Sequence, residues 1–260
     1  MRVFYYLITA ALLLAASCQK EYSIEPGGNH SQGGNNPADT GTYFPTITGT
    51  TWTYQVTAGF HPDTAAFNHI LDSLGLDTIQ GYGGVAYLDS LFLGNGFYET
   101  SFQDSMVVTG QDTLINNLSY FVLATNLGAT FVNRTGGDYN FIGLLGVPSL
   151  AGLGTLNLTM LEDNQPQGTT WTDSTFLGGL ATYFYFSIKA KGLTTVVNGV
   201  TYNNVIEVEY TIPFPLPGFS RFATTTDIYF ALNVGVIQSI TPASLAGISD
   251  TVLLTNALVK

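Results

Sequence analysis

GLTTVVNGVTY, residues 192–202, sets Asn198-Gly199 between two β-branched runs. Asn-Gly in that setting is the strongest short-range hairpin signal, because a two-residue turn between twisted strands needs positive φ at both central positions. The pattern occurs once more: GQDTLINNLSY, residues 110–120, matches it at Gly, Thr, Asn and Tyr, with apolar residues opposite apolar ones. A second pair of blocks precedes these two. Gly49-Thr50-Thr51-Trp52-Thr53 recurs as Gly168-Thr169-Thr170-Trp171-Thr172, and these hold the only two tryptophans of the chain. Two matching blocks in the same order imply a duplicated β unit, with copies over about 43–165 and 166–260.

The spacing within the copies differs. Trp52 and Tyr120 are 68 residues apart, whereas Trp171 and Tyr202 are 31 apart, so the first copy carries about 37 extra residues, placed within 60–103. HPDTAAFNHILDSLGL sets Phe67, Ile70, Leu71 and Leu74 at helical spacing after Pro62 and Asp63, which suit a helix start. GGVAYLDSLFLG repeats the pattern with Val85, Leu88, Leu91 and Phe92. The insertion at about 60–103 is expected to be one or two short amphipathic helices laid against a sheet. Elsewhere, short β-branched and aromatic runs such as SYFVLAT, ATFVNRT, TYFYFSIKAK, VTYNNVIEVEY and DTVLLTNALV alternate with Asn-Gly, Gly-Gly and Asn-Asn turns. About ten antiparallel strands point to a mainly β fold: a barrel, half-barrel or sandwich. DYNFIGLLG and GVPSLAGLGTL are glycine-rich and apolar and read as loops or strand connections.

From Thr42 to Lys260 there are five basic residues against 15 acidic ones, a net charge of −10. No basic patch neutralises phosphates, which excludes nucleic acid as a partner, and attraction to anionic lipid is excluded on the same ground. Charged residues make up 10% of the chain and hydrophobic ones 45%, a lean composition for a soluble surface that leaves room for an apolar cavity or interface.

Toward the amino end, Arg2 precedes an apolar run over residues 3–16, 14 residues long, against roughly 20 needed for a membrane-spanning helix. With Ala15, Ala16 and Ser17 following, residues 1–17 read as a secretory signal. Residues 19–41, QKEYSIEPGGNHSQGGNNPADTG, lack apolar periodicity and are expected to form a flexible tether with a span of roughly 25–30 Å, holding the folded part at 42–260 clear of the headgroups.

Candidate sites are few. His61 and His69, with Asp63 and Asp72, lack the spacing of a metal-ligand set, so no metal and no cofactor is expected. Glu207 and Glu209 alternate on one strand and share a face, as paired carboxylates of a glycoside hydrolase do. Lys189 and Lys191 alternate on the facing arm of the hairpin. One extra residue, such as a bulge at Asn203-Asn204, brings Lys189 to Glu209 and Lys191 to Glu207 as a solvated cross-strand ladder. No serine-nucleophile elbow, zinc-helix motif or phosphate loop is present, so catalysis is the minority reading. The chain holds 15 Tyr, 17 Phe and 2 Trp. These suit packing, an apolar pocket or stacking platforms; Trp52, Trp171, Phe67 and Leu71 are the candidate ligand-binding residues.

Leu14-Ala15-Ala16-Ser17-Cys18 resembles the bacterial lipobox, in which the cysteine is lipidated. The resemblance implies that Cys18, the only cysteine, becomes the lipid-bearing mature amino terminus, and several acyl chains hold a protein firmly to a membrane. Lys20-Glu21 with Glu25 resembles the export signal of surface-exposed Bacteroidota lipoproteins. Tyr43-Phe44-Pro45, Gly49, Trp52, Tyr54 and the late Gly235-Val236-Ile237 resemble a group of Bacteroidota outer-membrane lipoproteins sharing Tyr-Phe-Pro-x-x-x-Gly-x-x-Trp-x-Tyr. Asn233-Val234 departs from the Lys-Gly common there. That group carries no assigned activity; by looser analogy it is similar to half-barrel carriers that hold acyl chains. The resulting expectation is a non-catalytic, lipid-anchored binding module of the outer membrane that takes a lipid or another apolar ligand. The alternatives are a surface glycan- or protein-binding module and a hydrolase.

Overall fold

The computed structural model describes residues 41–60, 98–126, 128–143, 157–177, 180–213, 223–243 and 248–260. Cys18, His30, His61, Asp63, Phe67, His69, Leu71, Asp72 and the two helical patterns lie outside them. The described residues form twelve strands: β1 (Thr51–Phe60), β2 (Tyr98–Ile115), β3 (Leu118–Thr125), β4 (Gly128–Thr135), β5 (Asp138–Ile142), β6 (Asn157–Glu162), β7 (Thr170–Leu177), β8 (Leu180–Val197), β9 (Val200–Ile212), β10 (Thr224–Ala231), β11 (Gly235–Thr241) and β12 (Ile248–Leu258). No helix occurs among them.

All twelve strands belong to one antiparallel sheet in the order β6-β5-β4-β3-β2-β1-β12-β11-β10-β9-β8-β7. Each strand neighbours its successor in the chain except β6, which does not pair with β7, and β1 pairs β12 from Thr51↔Leu258 to Phe60↔Ile248. The two sheet edges, β6 and β7, are consecutive in sequence and touch, so the sheet rolls into a nearly closed barrel; a two-sheet sandwich is excluded.

Alternation decides what faces inward. On β1, Trp52, Tyr54, Val56 and Ala58 are buried, and on β2 the buried residues are Asp104, Met106 and Val108. One continuous core joins these to Phe141, Leu158, Phe184, Phe186, Tyr210, Phe230 and Leu254 from around the wall.

The duplication is visible in the hydrogen bonds. Gly49 N donates to Val108 O at 3.0 Å and Gly168 N to Ile188 O at 2.8 Å; Thr50 N donates to Ile47 O and Thr169 N to Pro166 O; Val108 N donates to Thr50 O and Ile188 N to Thr169 O. Both glycines have φ near +85°, at +82° and +87°, which side chains with a Cβ rarely adopt. The tips of the two long hairpins match as well. Asn116 and Asn117 have φ of +52° and +64°, and Asn198 and Gly199 of +49° and +79°, the left-handed pair of a type I′ turn.

The insertion expected within 60–103 falls at 61–97, the 37 residues between β1 and β2, since Phe60 ends β1 and Tyr98↔Phe60 through Gln103↔Gln55 pair in register. Two sequence expectations need correction. DYNFI is strand β5, not a loop: Tyr139 and Phe141 point into the core and residues 138–142 pair across to β4. The Lys191–Glu207 pair does not form. The hairpin of β8 and β9 does carry the bulge between Leu193↔Val205 and Thr195↔Tyr202, where Asn204 has φ +54°, but β8 has two bulges of its own that put Ala190 opposite Glu207.

Direction of travel sorts the connections. At one end, here the base, residues 41–50 lead in and the links are short: 116–117, 136–137, 163–169, 198–199 and 232–234. The other end receives the links 61–97, 126–127, 143–156, 178–179, 213–223 and 242–247, among them the 37-residue one, and is the loop end.

Candidate functional site

Three groups of side chains give the barrel its chemistry: a seal at the base, a seam in the wall, and a buried carboxyl toward the loop end.

The seal is made by the chain as it enters. Asn233 N donates to Thr42 O, and Thr42 N donates back to Asn233 Oδ1 at 3.1 Å, which fixes the leading segment to the β10–β11 turn. On the other side Tyr43 N donates to Tyr139 Oη at 3.0 Å, and that hydroxyl donates to Asp163 Oδ2 at 2.8 Å. Arg134 lies 3.9 Å from the same carboxylate and 5.3 Å above the Tyr139 ring. Burial pushes the Tyr139 hydroxyl up to about 12, so it stays a donor throughout the physiological range. Phe44, 1% exposed, stacks on Trp52 with ring centres 4.9 Å apart and meets Phe141 edge-on at 5.1 Å. The Tyr43-Phe44-Pro45 motif is therefore a stopper, with its Phe in the core and its backbone pinned to both halves.

Trp52 is equally part of the wall. It is 1% exposed, and its indole Nε1 donates to Val234 O at 2.6 Å. Tyr54 Oη donates to Val236 O at 3.1 Å. The β11–β12 ladder runs only from Gln238↔Leu253 to Thr241↔Asp250. Nearer the base the second hairpin tip closes the gap, with Asn198 Nδ2 donating to Leu254 O at 2.7 Å and Val197 in the core.

Trp171, the repeat partner of Trp52, sits at the seam. It is half-buried, stacked on Phe186 at 5.2 Å and 5°. No backbone ladder joins β6 to β7 among the described residues. Side chains of β7 take the two free backbone groups of Thr159 on β6 instead. Thr159 N donates to Asp173 Oδ2 at 2.6 Å, and Trp171 Nε1 donates to Thr159 O at 2.8 Å. Below the seam Lys191 Nζ donates to Asp163 O at 2.7 Å and Gln165 O at 2.8 Å, clamping the β6–β7 turn, which is where this lysine goes in place of Glu207.

The third group was not singled out from the sequence. Asp250 on β12 is 6% exposed and pairs in register with Ala58 and Thr241. Its Oδ1 has no hydrogen-bond partner among the described residues. Burial raises its carboxyl to about 7, against the lowering effect of the Thr251 N–H. Thr241 Oγ1 lies 2.7 Å from Thr226 Oγ1, and Thr226 in turn bonds the buried Tyr210 hydroxyl. The signal was present: Asp250 stands in phase with inward-facing Val252 and Leu254, as Asp104 does with Met106 and Val108. Asp104 differs in being satisfied, accepting from Ser105 N at 2.9 Å and Asn126 N at 3.2 Å.

Glu207 and Glu209 lie on the outer face, out of phase with buried Ile206, Val208 and Tyr210. Glu207 accepts from Tyr229 Oη at 3.2 Å and Glu209 from Lys189 Nζ at 3.3 Å. Asp227 pairs opposite Glu209, and burial together with those two carboxylates raises its own carboxyl. These carboxylates do not converge in a pocket. The expected Lys189–Glu209 pair is formed; no group of metal-ligating side chains occurs among the described residues.

No family model and no curated protein matches the chain. Among solved structures it is similar to a protein from Bacteroides fragilis described as exported and of YmcC-like fold. The identity is 11%, the match covers 84% of this chain and 99% of that one, and the TM-score is 0.44. It is also similar to a protein from Parabacteroides distasonis described as a lipoprotein, at 10% identity, with 85% and 100% covered and a TM-score of 0.41.

Proposed function

We propose that this chain is a non-catalytic lipoprotein of the bacterial outer membrane, held through lipid on Cys18, whose barrel binds a lipid or another apolar ligand at its loop end. One observation carries the reading: the base is sealed by Phe44, Trp52 and the Asn198 tip, while the long connections all leave and return at the opposite end. Loops held by a rigid scaffold are where binding residues concentrate. Phe67 and Leu71 belong to the 37-residue connection and are assigned to cover the ligand. Trp52 and Trp171 hold the wall beneath it. Asp250, with one oxygen unbonded among the described residues, supplies a polar acceptor toward that end for the head of an amphiphile.

Native mass spectrometry of the full-length protein purified from cells tests this. The expected spectrum shows a fixed mass increment at Cys18 and a second, dissociable apolar species; Phe67→Asp with Leu71→Asp removes the second and keeps the first. A wild-type protein that carries only the anchor and fails to bind a fluorescent fatty acid overturns the ligand assignment.

A second reading has its own observation. Tyr183 and Tyr185 alternate on the outer face of β8 and are 48% and 50% exposed. Paired exposed aromatics of this kind stack on sugar rings. Glycan-array binding that disappears in Tyr183→Ala with Tyr185→Ala establishes that reading, and an array blank for the wild type removes it.

A further inference from the structure

The described residues carry a group of exposed aliphatic side chains at the base. Nine large hydrophobic residues are exposed among the described residues; two are Tyr183 and Tyr185, and the other seven are all at the base. Leu114 is 74% exposed, Leu118 46%, Val196 62% and Val200 52%. Ile47, just before β1, and Leu258, at the end of β12, are exposed beside them.

Their placement is systematic. Leu114 and Leu118 flank the Asn116-Asn117 turn, and Val196 and Val200 flank Asn198-Gly199. Register sets Ile115 opposite Leu118 and Val197 opposite Val200, so each tip carries one exposed aliphatic on each of its two faces. Within each tip the inward neighbour, Ile115 or Val197, is buried. Both copies of the duplicated unit thus hold exposed aliphatics at the same two positions. The turn residues are uncharged amides and glycine, so neither turn sets a charge between its aliphatics, and the second tip lies against the wall through Asn198 Nδ2 and Leu254 O.

The occupant follows from where the leading chain arrives. Thr42 is fixed at the base by Asn233, so the segment back to Cys18 leaves from that same end. We propose that the base is a membrane-contact surface: the two hairpin tips insert Leu114, Leu118, Val196 and Val200 into the interfacial region of the bilayer that holds the anchor. The proposal rests on the lipoprotein reading above. It replaces a domain held clear of the headgroups by one standing on them with its loop end outward. Because the chain carries a net charge of −11, the contact is apolar, independent of anionic lipid and insensitive to salt.

The test uses the full-length protein in phosphatidylcholine vesicles, with an environment-sensitive fluorophore on Leu118→Cys, Val200→Cys or, as the loop-side control on β7, Ser174→Cys. Labels at 118 and 200 are expected to shift to the blue and resist aqueous iodide, with no change on adding phosphatidylglycerol or salt; the label at 174 remains quenchable. Labels at 118 and 200 quenched as fully as that at 174 overturn the proposal, whatever protein partner the tips then serve. A variant with Leu114→Asn and Val196→Thr that carries the label at 118 or 200, checked for its β spectrum by circular dichroism, is expected to make that label more accessible to iodide. Intact mass at Cys18 is read on the same samples. Lipid present with exposed tips refutes the contact alone, whereas embedded tips without lipid refute the anchor and leave the contact standing.

Discussion

Replacing Asp250 by Asn isolates the buried carboxyl in a single measurement. In the folded protein this group is 6% exposed, with one oxygen bonded by the Thr251 N–H and the other without a partner among the described residues. Burial raises its carboxyl to about 7, well above the ordinary 3.8 of an exposed chain. The folded state therefore holds its proton to higher pH than the unfolded state. The stability tied to that proton is fully present below the unfolded value and is lost as pH rises through the folded one. The rise from 3.8 to about 7 corresponds to about 4 kcal/mol in all, of which about 2.5 kcal/mol falls between pH 5 and pH 8. For a domain of this size that loss lowers Tm by roughly 5–10 °C. Asn keeps an oxygen for the Thr251 N–H and cannot ionise. Urea unfolding of wild type and Asp250→Asn at pH 5, 6, 7 and 8 gives the gap directly, because Asp227 and Glu162, whose carboxyls burial also raises, titrate in both proteins. The gap should widen in favour of the variant by about 2.5 kcal/mol across that range. A gap constant to within about 0.5 kcal/mol would refute the reasoning, as would one that closes with rising pH.

Charge reversal separates the two lysines of the second hairpin. Lys189→Glu breaks an exposed pair with Glu209 and should cost under about 1 kcal/mol, whereas Lys191→Glu removes the clamp on Asp163 O and Gln165 O and should cost roughly 2–3 kcal/mol. Chemical denaturation that ranks them in the opposite order sinks the assignment of Lys191 to the β6–β7 turn. Tyr139→Phe removes the hydroxyl that joins Tyr43 to Asp163 and should cost roughly 1–3 kcal/mol. It should also speed cleavage within residues 41–46 under limited proteolysis, and unchanged cleavage there means that the stopper is held by Phe44 alone.

Much of the fold was legible because its signals are local. Asn-Gly and Asn-Asn tips dictate their turns through backbone sterics, and the duplicated Gly-Thr-Thr-Trp block reproduces its three backbone hydrogen bonds because those bonds depend on the local positive φ of the glycine. Strand β5 is obscured in the sequence by the glycines after Ile142, which read as a loop, although Tyr139 and Phe141 alternate as a strand requires. The bulges of β8 are legible only in part. The shift between Ala190 and Leu193 has its local mark in Gly192, which takes φ +71°, but nothing within 189–193 names Asp163 as the partner of Lys191. Lys189 remains beside Glu209 only because its own bulge places it there.

The two tryptophans show where a local motif stops determining its surroundings. Trp52 and Trp171 have the same four preceding and following neighbours in Gly-Thr-Thr-Trp-Thr, the same hairpin register to Met106 and Phe186, and the same glycine-led start. Their fates differ because β1 has ladders on both sides, to β2 and β12, whereas β7 has one, to β8. An indole between two ladders has no strand edge to serve. It is buried against Phe44 and spends its N–H on the β10–β11 turn. The same indole at an edge faces a strand whose backbone is unpaired, and an unpaired backbone group removed from water costs about as much as a lost hydrogen bond. Trp171 and Asp173 answer that cost by capping Thr159 from the side chains of β7. A twelve-stranded meander that repeats a six-stranded unit has two junctions between copies. Here the junction at β1–β12 is a full ladder and the one at β6–β7 is bridged by side chains. The weakness of the wall is thus not a property of either copy's sequence. It arises from the register at which the second copy closes on the first, and it makes the seam beside Trp171 the place where this barrel has the least backbone to break.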